Sequence, residues 1–112
     1  MKSMRRIFVI LTLLLPVTVL VSSASAEPKI KATIFSYDGK DFVRTKTTLM
    51  AEGQSAANTK LGRDSSAYKA LVKKRSYTGT ATIFGQDYQA NYAPLTGEDG
   101  QLTGALFVGV PK

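Results

Sequence analysis

The chain has no histidine and no cysteine among its 112 residues. That removes the commonest general base, the thiolate nucleophile and the usual soft-metal ligands. Enzyme mechanisms built on those groups are excluded, no cofactor or metal is implied, and the chain is not expected to be an enzyme. Without cysteine it cannot form disulfides either, so its stability must come from packing or from a partner. Internal repeats and low-complexity tracts are also missing.

Acidic residues are few, eight against 15 basic ones. Asp38, Asp41, Asp87, Glu98 and Asp99 fall in or beside expected turns, where such side chains satisfy local backbone amides. Solvated turn acids are therefore favoured over a catalytic pair, and Glu98-Asp99 is too small a set for a hard cation that wants six or more oxygens. Ser65 and Ser66 have no histidine to activate them and read as a helix cap. The glycines match no phosphate-loop spacing.

What is present begins with a leader. Lys2, Arg5 and Arg6 precede an apolar run from Ile7 to Val21, followed by Ser-Ser-Ala-Ser-Ala. This is the pattern of a secretory signal peptide over residues 1–26, cleaved after Ala26. The run is 15 residues long and contains Pro16, whereas a bilayer span takes roughly 20. Removing it leaves 86 residues, 27–112, with 12 basic and eight acidic groups and a charge of +4. That length makes one domain. The expected location is periplasmic or secreted, with no membrane span after cleavage. The basic residues do not interleave with stacking aromatics, so nucleic acid is not an expected partner.

Residues 29–37 are rich in β-formers, and Asp38-Gly39-Lys40 turns the chain into a second strand beginning Asp-Phe-Val-Arg. Strict alternation predicts Val43, Thr45, Thr47 and Leu49 on one face of that strand and Phe42, Arg44, Lys46 and Thr48 on the other. Residues 51–64 read as an irregular connection. A helix follows over 67–74, with Tyr68, Leu71 and Val72 as its apolar stripe. Three strands complete the chain, at 76–85, 86–95 and 101–110, with a tight turn at Gly85-Gln86-Asp87. The last strand is apolar on both faces, Leu102, Leu106 and Val108 against Ala105 and Phe107, so cover is expected on both. It is too short to span a bilayer as a helix, which leaves a core strand or a connector.

Arg44, Lys74, Arg75, Tyr77, Tyr88 and Tyr92 form a cationic and phenolic set. Tyr88 and Tyr92 are four apart on a strand and share a face. Arginine grips a carboxylate bidentately, and tyrosine hydroxyls add hydrogen bonds from an apolar wall. Each has a plainer alternative: core packing for the tyrosines, a solvated strand position for Arg44, a solvated helix end for Lys74-Arg75.

Several runs together resemble a known family: Asp-Gly-Lys-Asp-Phe-Val-Arg at 38–44, Ala67-Tyr68 before a helix, Y-x-G-x-A-x-x-F-G-x-x-Y-x-x-x-Y-x-P from Tyr77 to Pro94, and G-x-L-x-G-x-L-F-V-G-V from Gly100 to Val110. The chain is similar to the single-Cache extracytoplasmic sensor domain of bacterial chemoreceptors and sensor kinases, in the Cache 3/Cache 2 fusion variant. The resemblance implies an α+β, PAS-like fold in which a five-stranded antiparallel sheet cups a pocket beneath one main helix. It implies a small-molecule ligand, commonly a short carboxylate or an amino acid, and a place in signal transduction or chemotaxis. Its positions map loosely onto Arg75, Tyr77 and Tyr92, and the ligand-binding candidates are Arg44, Arg75, Tyr77, Tyr88 and Tyr92. Family members carry a long first helix on the back of the sheet, which is not expected here. The resemblance therefore leads to a stand-alone sensor working through a partner protein, with a homodimer or an envelope receptor docked on the uncovered face. An interaction module with a vestigial pocket is the alternative.

Overall fold

A computed structural model describes residues 30–112 of the chain; the expected signal peptide, residues 1–26, lies outside them. Strand β1 (Lys31–Tyr37) turns into β2 (Phe42–Thr47) through an Asp38 side chain that accepts hydrogen bonds from the backbone N–H of Lys40 at 2.9 Å and Asp41 at 2.7 Å. Short polar side chains stabilise turns in this way.

The two strands do not stay in simple alternation. Phe35 pairs with Arg44 and Ile34 with Lys46, so Thr45 has no partner and forms a β-bulge. The extra residue flips the side-chain phase. Phe42 and Arg44 are buried before it, and Leu49 is buried beyond it. The expected division of faces is thus corrected: the inner face takes Phe42 and Arg44 from one predicted set and Leu49 from the other.

The connection expected to be irregular, 51–64, opens with a small hairpin of β3 (Met50–Ala51) and β4 (Gln54–Ser55). Glu52 and Gly53 both have positive φ, as a two-residue hairpin loop requires. The chain then runs back along β2. The N–H of Arg44 donates to the Thr59 carbonyl at 2.8 Å, and that of Leu61 to Phe42 at 2.9 Å.

Helix α1 spans Ser66–Leu71, and the Ser65 side chain accepts from the Tyr68 N–H at 3.1 Å as its cap. It is shorter than expected. Lys74 adopts φ 61°, and the N–H groups of Lys74 and Arg75 return to Leu71 and Ala70, which is a Schellman ending without glycine. Ala67 and Leu71 form the buried face, whereas Val72, expected in the stripe, is exposed.

Strands β5 (Tyr77–Ile83), β6 (Gln86–Thr96) and β7 (Leu102–Pro111) complete one five-stranded antiparallel sheet in the order β2-β1-β7-β6-β5. The expected tight turn sits one residue earlier, at Phe84-Gly85, because Ile83 pairs with Gln86. Among the described residues the architecture is mostly antiparallel sheet with one short helix, consistent with a PAS-like fold.

One face of the sheet holds the core. Phe35, Phe42, Tyr92 and Phe107 pack in sequence, with ring centroids 6.3 Å apart for Phe35–Phe42, 6.2 Å for Phe35–Tyr92 and 4.9 Å for Tyr92–Phe107. Leu61 and Leu71 press on these rings from the connection and the helix. Gly104 is required at the centre of β7, since a Cβ there would lie 2.2 Å from the Phe35 carbonyl oxygen. Leu102, expected beside Leu106, packs toward the core because the β6–β7 ladder slips between Leu95 and Thr96. On the opposite face Ile34, Leu106 and Val108 are exposed among the described residues, which departs from the cover expected of a two-sided apolar strand and agrees with the uncovered back of the sheet expected without a first helix.

Candidate functional site

Because α1 and the 59–66 segment cross one end of the sheet, they leave a cavity of about 450 Å³ between themselves, β2, β5 and β6. Small-molecule sites fall in the range of roughly 300–1,000 Å³. Arg44 lies in its wall together with Tyr77 and Tyr92.

Arg44 reaches this position through the Thr45 bulge, which keeps its side chain on the inner face beside Phe42. It is 3% exposed. One terminal nitrogen, Nη1, donates to Thr59 Oγ1 at 3.0 Å and to the Lys60 carbonyl at 3.1 Å, which leaves Nε buried with no partner. Among the described residues no carboxylate pairs with it; the two ion pairs there both belong to Asp41. Burial pushes the Arg44 guanidinium down from its usual range, yet arginine remains charged at any physiological pH. Its Cζ lies 5.4 Å from the Phe35 ring centroid and 5.1 Å from that of Phe84. A buried cation without an anion is costly, and here the uncompensated charge faces an open cavity.

Tyr92 is buried against Phe107 and Tyr77, the latter at 6.3 Å between ring centroids. Burial pushes its phenol up to about 12, against a smaller opposing pull from Arg44. The hydroxyl therefore stays protonated at neutral pH, where it can donate to an anion. Tyr77 lies back along its own strand, its hydroxyl donating to the Thr80 carbonyl at 2.8 Å. Only glycine at 79 allows this, since a Cβ there would sit 2.8 Å from the Tyr77 hydroxyl.

The structure thus brings Arg44, Tyr77 and Tyr92 around one cavity. Arg75 lies outside the lining and is exposed, because the Schellman ending turns the chain outward before β5. Tyr88 shares the inner face with Tyr92, as their spacing predicts, but it is buried edge-on against Phe107 at 6.2 Å and does not line the cavity.

Lys60, Asp64, Ser66 and Phe84 also line the cavity, and none was a candidate from the sequence. Lys60 and Asp64 belong to the connection whose path no local pattern encodes. Asp41, expected to be a turn acid, is instead buried and gripped by Arg63, with Nε 2.8 Å from Oδ1 and Nη2 2.9 Å from Oδ2. Lys60 adds a longer contact at 3.5 Å. Hydrogen bonding to Arg63 holds the Asp41 carboxyl down at about 2. The pair ties the connection to the start of β2 and so fixes one wall of the cavity.

The family model described as the Cache 3/Cache 2 fusion domain matches residues 19–112. No curated protein and no solved structure matches the chain. Cache domains are extracytoplasmic modules that sense small molecules, and among the described residues no helix is long and apolar enough to cross a membrane. The matched segment takes in every strand of the sheet, the helix and the whole cavity wall, and the chain belongs to the Cache 3/Cache 2 fusion domain family.

Proposed function

We propose that this domain binds a small metabolite bearing a carboxylate, a short organic acid or an amino acid, in the cavity between the sheet and α1. Arg44 anchors the carboxylate, Tyr92 donates a hydrogen bond to it, and Tyr77 shapes the wall. The observation that carries this reading is Arg44 itself, a buried guanidinium at a cavity with an unpartnered Nε and, among the described residues, no acidic neighbour paired to it. An incoming carboxylate supplies the missing anion, and charge-assisted bonds of this kind are about twice as strong as neutral ones.

Residues 1–26 act as an export signal in this reading, and 27–112 form a single domain working in the periplasm or outside the cell, where occupancy is relayed to a partner protein. A thermal-shift screen of organic acids and amino acids tests it. A ligand at a hundred times its Kd stabilises by about 2.7 kcal/mol, and about 1 kcal/mol raises the melting temperature of a domain this size by roughly 4–8 °C. A shift above about 10 °C for some carboxylate, absent in Arg44→Met, supports the reading. No shift across a broad panel counts against it.

A second reading is favoured by the outer face. Ile34 pairs with Leu106 and Ala32 with Val108, which sets four apolar side chains side by side in solvent. Exposed apolar patches of this kind mark interaction surfaces. In that case the domain docks through the sheet, on a second copy or an envelope receptor, and the cavity is vestigial. Sedimentation at high concentration distinguishes it: association abolished by Leu106→Lys supports docking, and a stable monomer opposes it.

A further inference from the structure

Phe84 breaks a local rule at the mouth of the cavity. Ile83 pairs with Gln86, so Phe84 and Gly85 alone form the loop between β5 and β6, and their φ values are 51° and 81°. Loops of this geometry favour Asn-Gly or Gly-Gly, since a bulky side chain at positive φ crowds its own backbone. Phenylalanine is among the least suited residues for the first position. The residue is also 49% exposed, so it gains only part of the burial that would offset the strain. The fold alone gives no reason for it. Strained backbone held at a ligand site is commonly part of that site's function.

The position of the ring supplies the reason. Phe84 lines the cavity, and its centroid lies 5.1 Å from the Arg44 guanidinium carbon. Phe35, which pairs with Arg44 across the β1–β2 ladder, holds the same group from within the core at 5.4 Å. Ring contacts of this type hold a guanidinium without using any of its N–H donors, and they leave the buried Nε without a partner. Phe35 is buried in the core, whereas Phe84 stands half-exposed on a two-residue loop.

We propose that Phe84 is the lid of the anion site: its ring closes the cavity mouth over Arg44, excludes water from the guanidinium and governs which anions reach it. The proposal rests on Arg44 as the ligand anchor, but the test separates the two. Phe84→Asn gives the loop a residue it prefers and removes the ring. Arg44 is then labelled with phenylglyoxal and followed by peptide mass mapping, with exposed Arg75 as the internal standard in the same sample.

The expected result is that Arg44 labelling, relative to Arg75, speeds up several-fold in Phe84→Asn while the variant melts at or above the wild-type temperature. Unchanged relative labelling overturns the lid, and so does a large fall in melting temperature, which would make the ring part of the core. Because labelling needs no ligand, lid-dependent protection in a protein that no carboxylate stabilises would retain the lid and remove the anion reading. Carboxylate-dependent stabilisation with ring-independent labelling would do the reverse.

Discussion

Replacing Arg44 with methionine should leave the unliganded protein as stable as before, or more so, while abolishing its response to carboxylates. Taking an ion from water into a protein interior costs several kcal/mol after relaxation. Against that cost stand the bonds from Nη1 to Thr59 Oγ1 and the Lys60 carbonyl, worth about 1.5–3 kcal/mol each for a charged donor. The Phe35 and Phe84 rings add about 0.5–2 kcal/mol each. The opposing sums are similar, and methionine keeps the apolar stem and much of the volume while removing the desolvation cost. Replacing buried charges with apolar groups of like size is often neutral or stabilising by about 1–4 kcal/mol. Arg44→Met should therefore melt at or above the wild-type temperature, higher by about 4–8 °C for each kcal/mol gained. Calorimetry or circular dichroism on the unliganded protein reads this directly. A loss above about 3 kcal/mol, the size expected on breaking a buried ion pair, would refute the reasoning. Arg44 would then be a structural tie to the 59–60 connection rather than a charge kept for a ligand.

Three further outcomes follow from named contacts. Arg63 depresses the Asp41 carboxyl in the folded state to about 2 from 3.8, so its contribution is complete above pH 4 and disappears as pH falls toward 2; acid titration of stability should be shallower in Asp41→Asn over that window. The Tyr92 phenol is raised to about 12 from 10.0, so stability is unaffected below pH 10 and falls between 10 and 12, by about 3 kcal/mol for two pH units; Tyr92→Phe should lose that alkaline step in denaturant titrations. Gly104→Ala forces a Cβ to within 2.2 Å of the Phe35 carbonyl and should cost more than about 3 kcal/mol by parting β1 from β7, read as a lower urea midpoint.

The sequence made the sheet legible because its turns are written in ordinary chemistry. Asp38-Gly39 closes β1 onto β2 through backbone N–H bonds to the aspartate, and Ser65 caps α1. It failed where one residue departs from the period or from propensity. The Thr45 bulge has no composition signal of its own, and it alone decides that Arg44 and Leu49 face the same way. Phe84 stands where propensity asks for asparagine or glycine, so the sequence pattern points to a β5–β6 turn one residue late and gives no sign of a cavity-lining ring. For the site, residue type pointed to Arg44, Tyr77 and Tyr92, but burial separates them from Arg75 and Tyr88, and burial depends on how the 56–66 connection returns along β2. No local pattern encodes that path, because it is held by contacts distant in sequence: backbone bonds from Arg44 to Thr59 and from Leu61 to Phe42, and Arg63 reaching Asp41 across 22 positions.

The most direct measurement is a titration of the ¹⁵N-labelled domain with a panel of carboxylates and their amides, following the Arg44 Nε–H resonance. At least one carboxylate should shift that resonance and slow its exchange with water, while the matching amide leaves it unmoved. An Nε–H that no carboxylate perturbs, with shifts confined instead to the β1–β7 outer face, would contradict an anion site at Arg44.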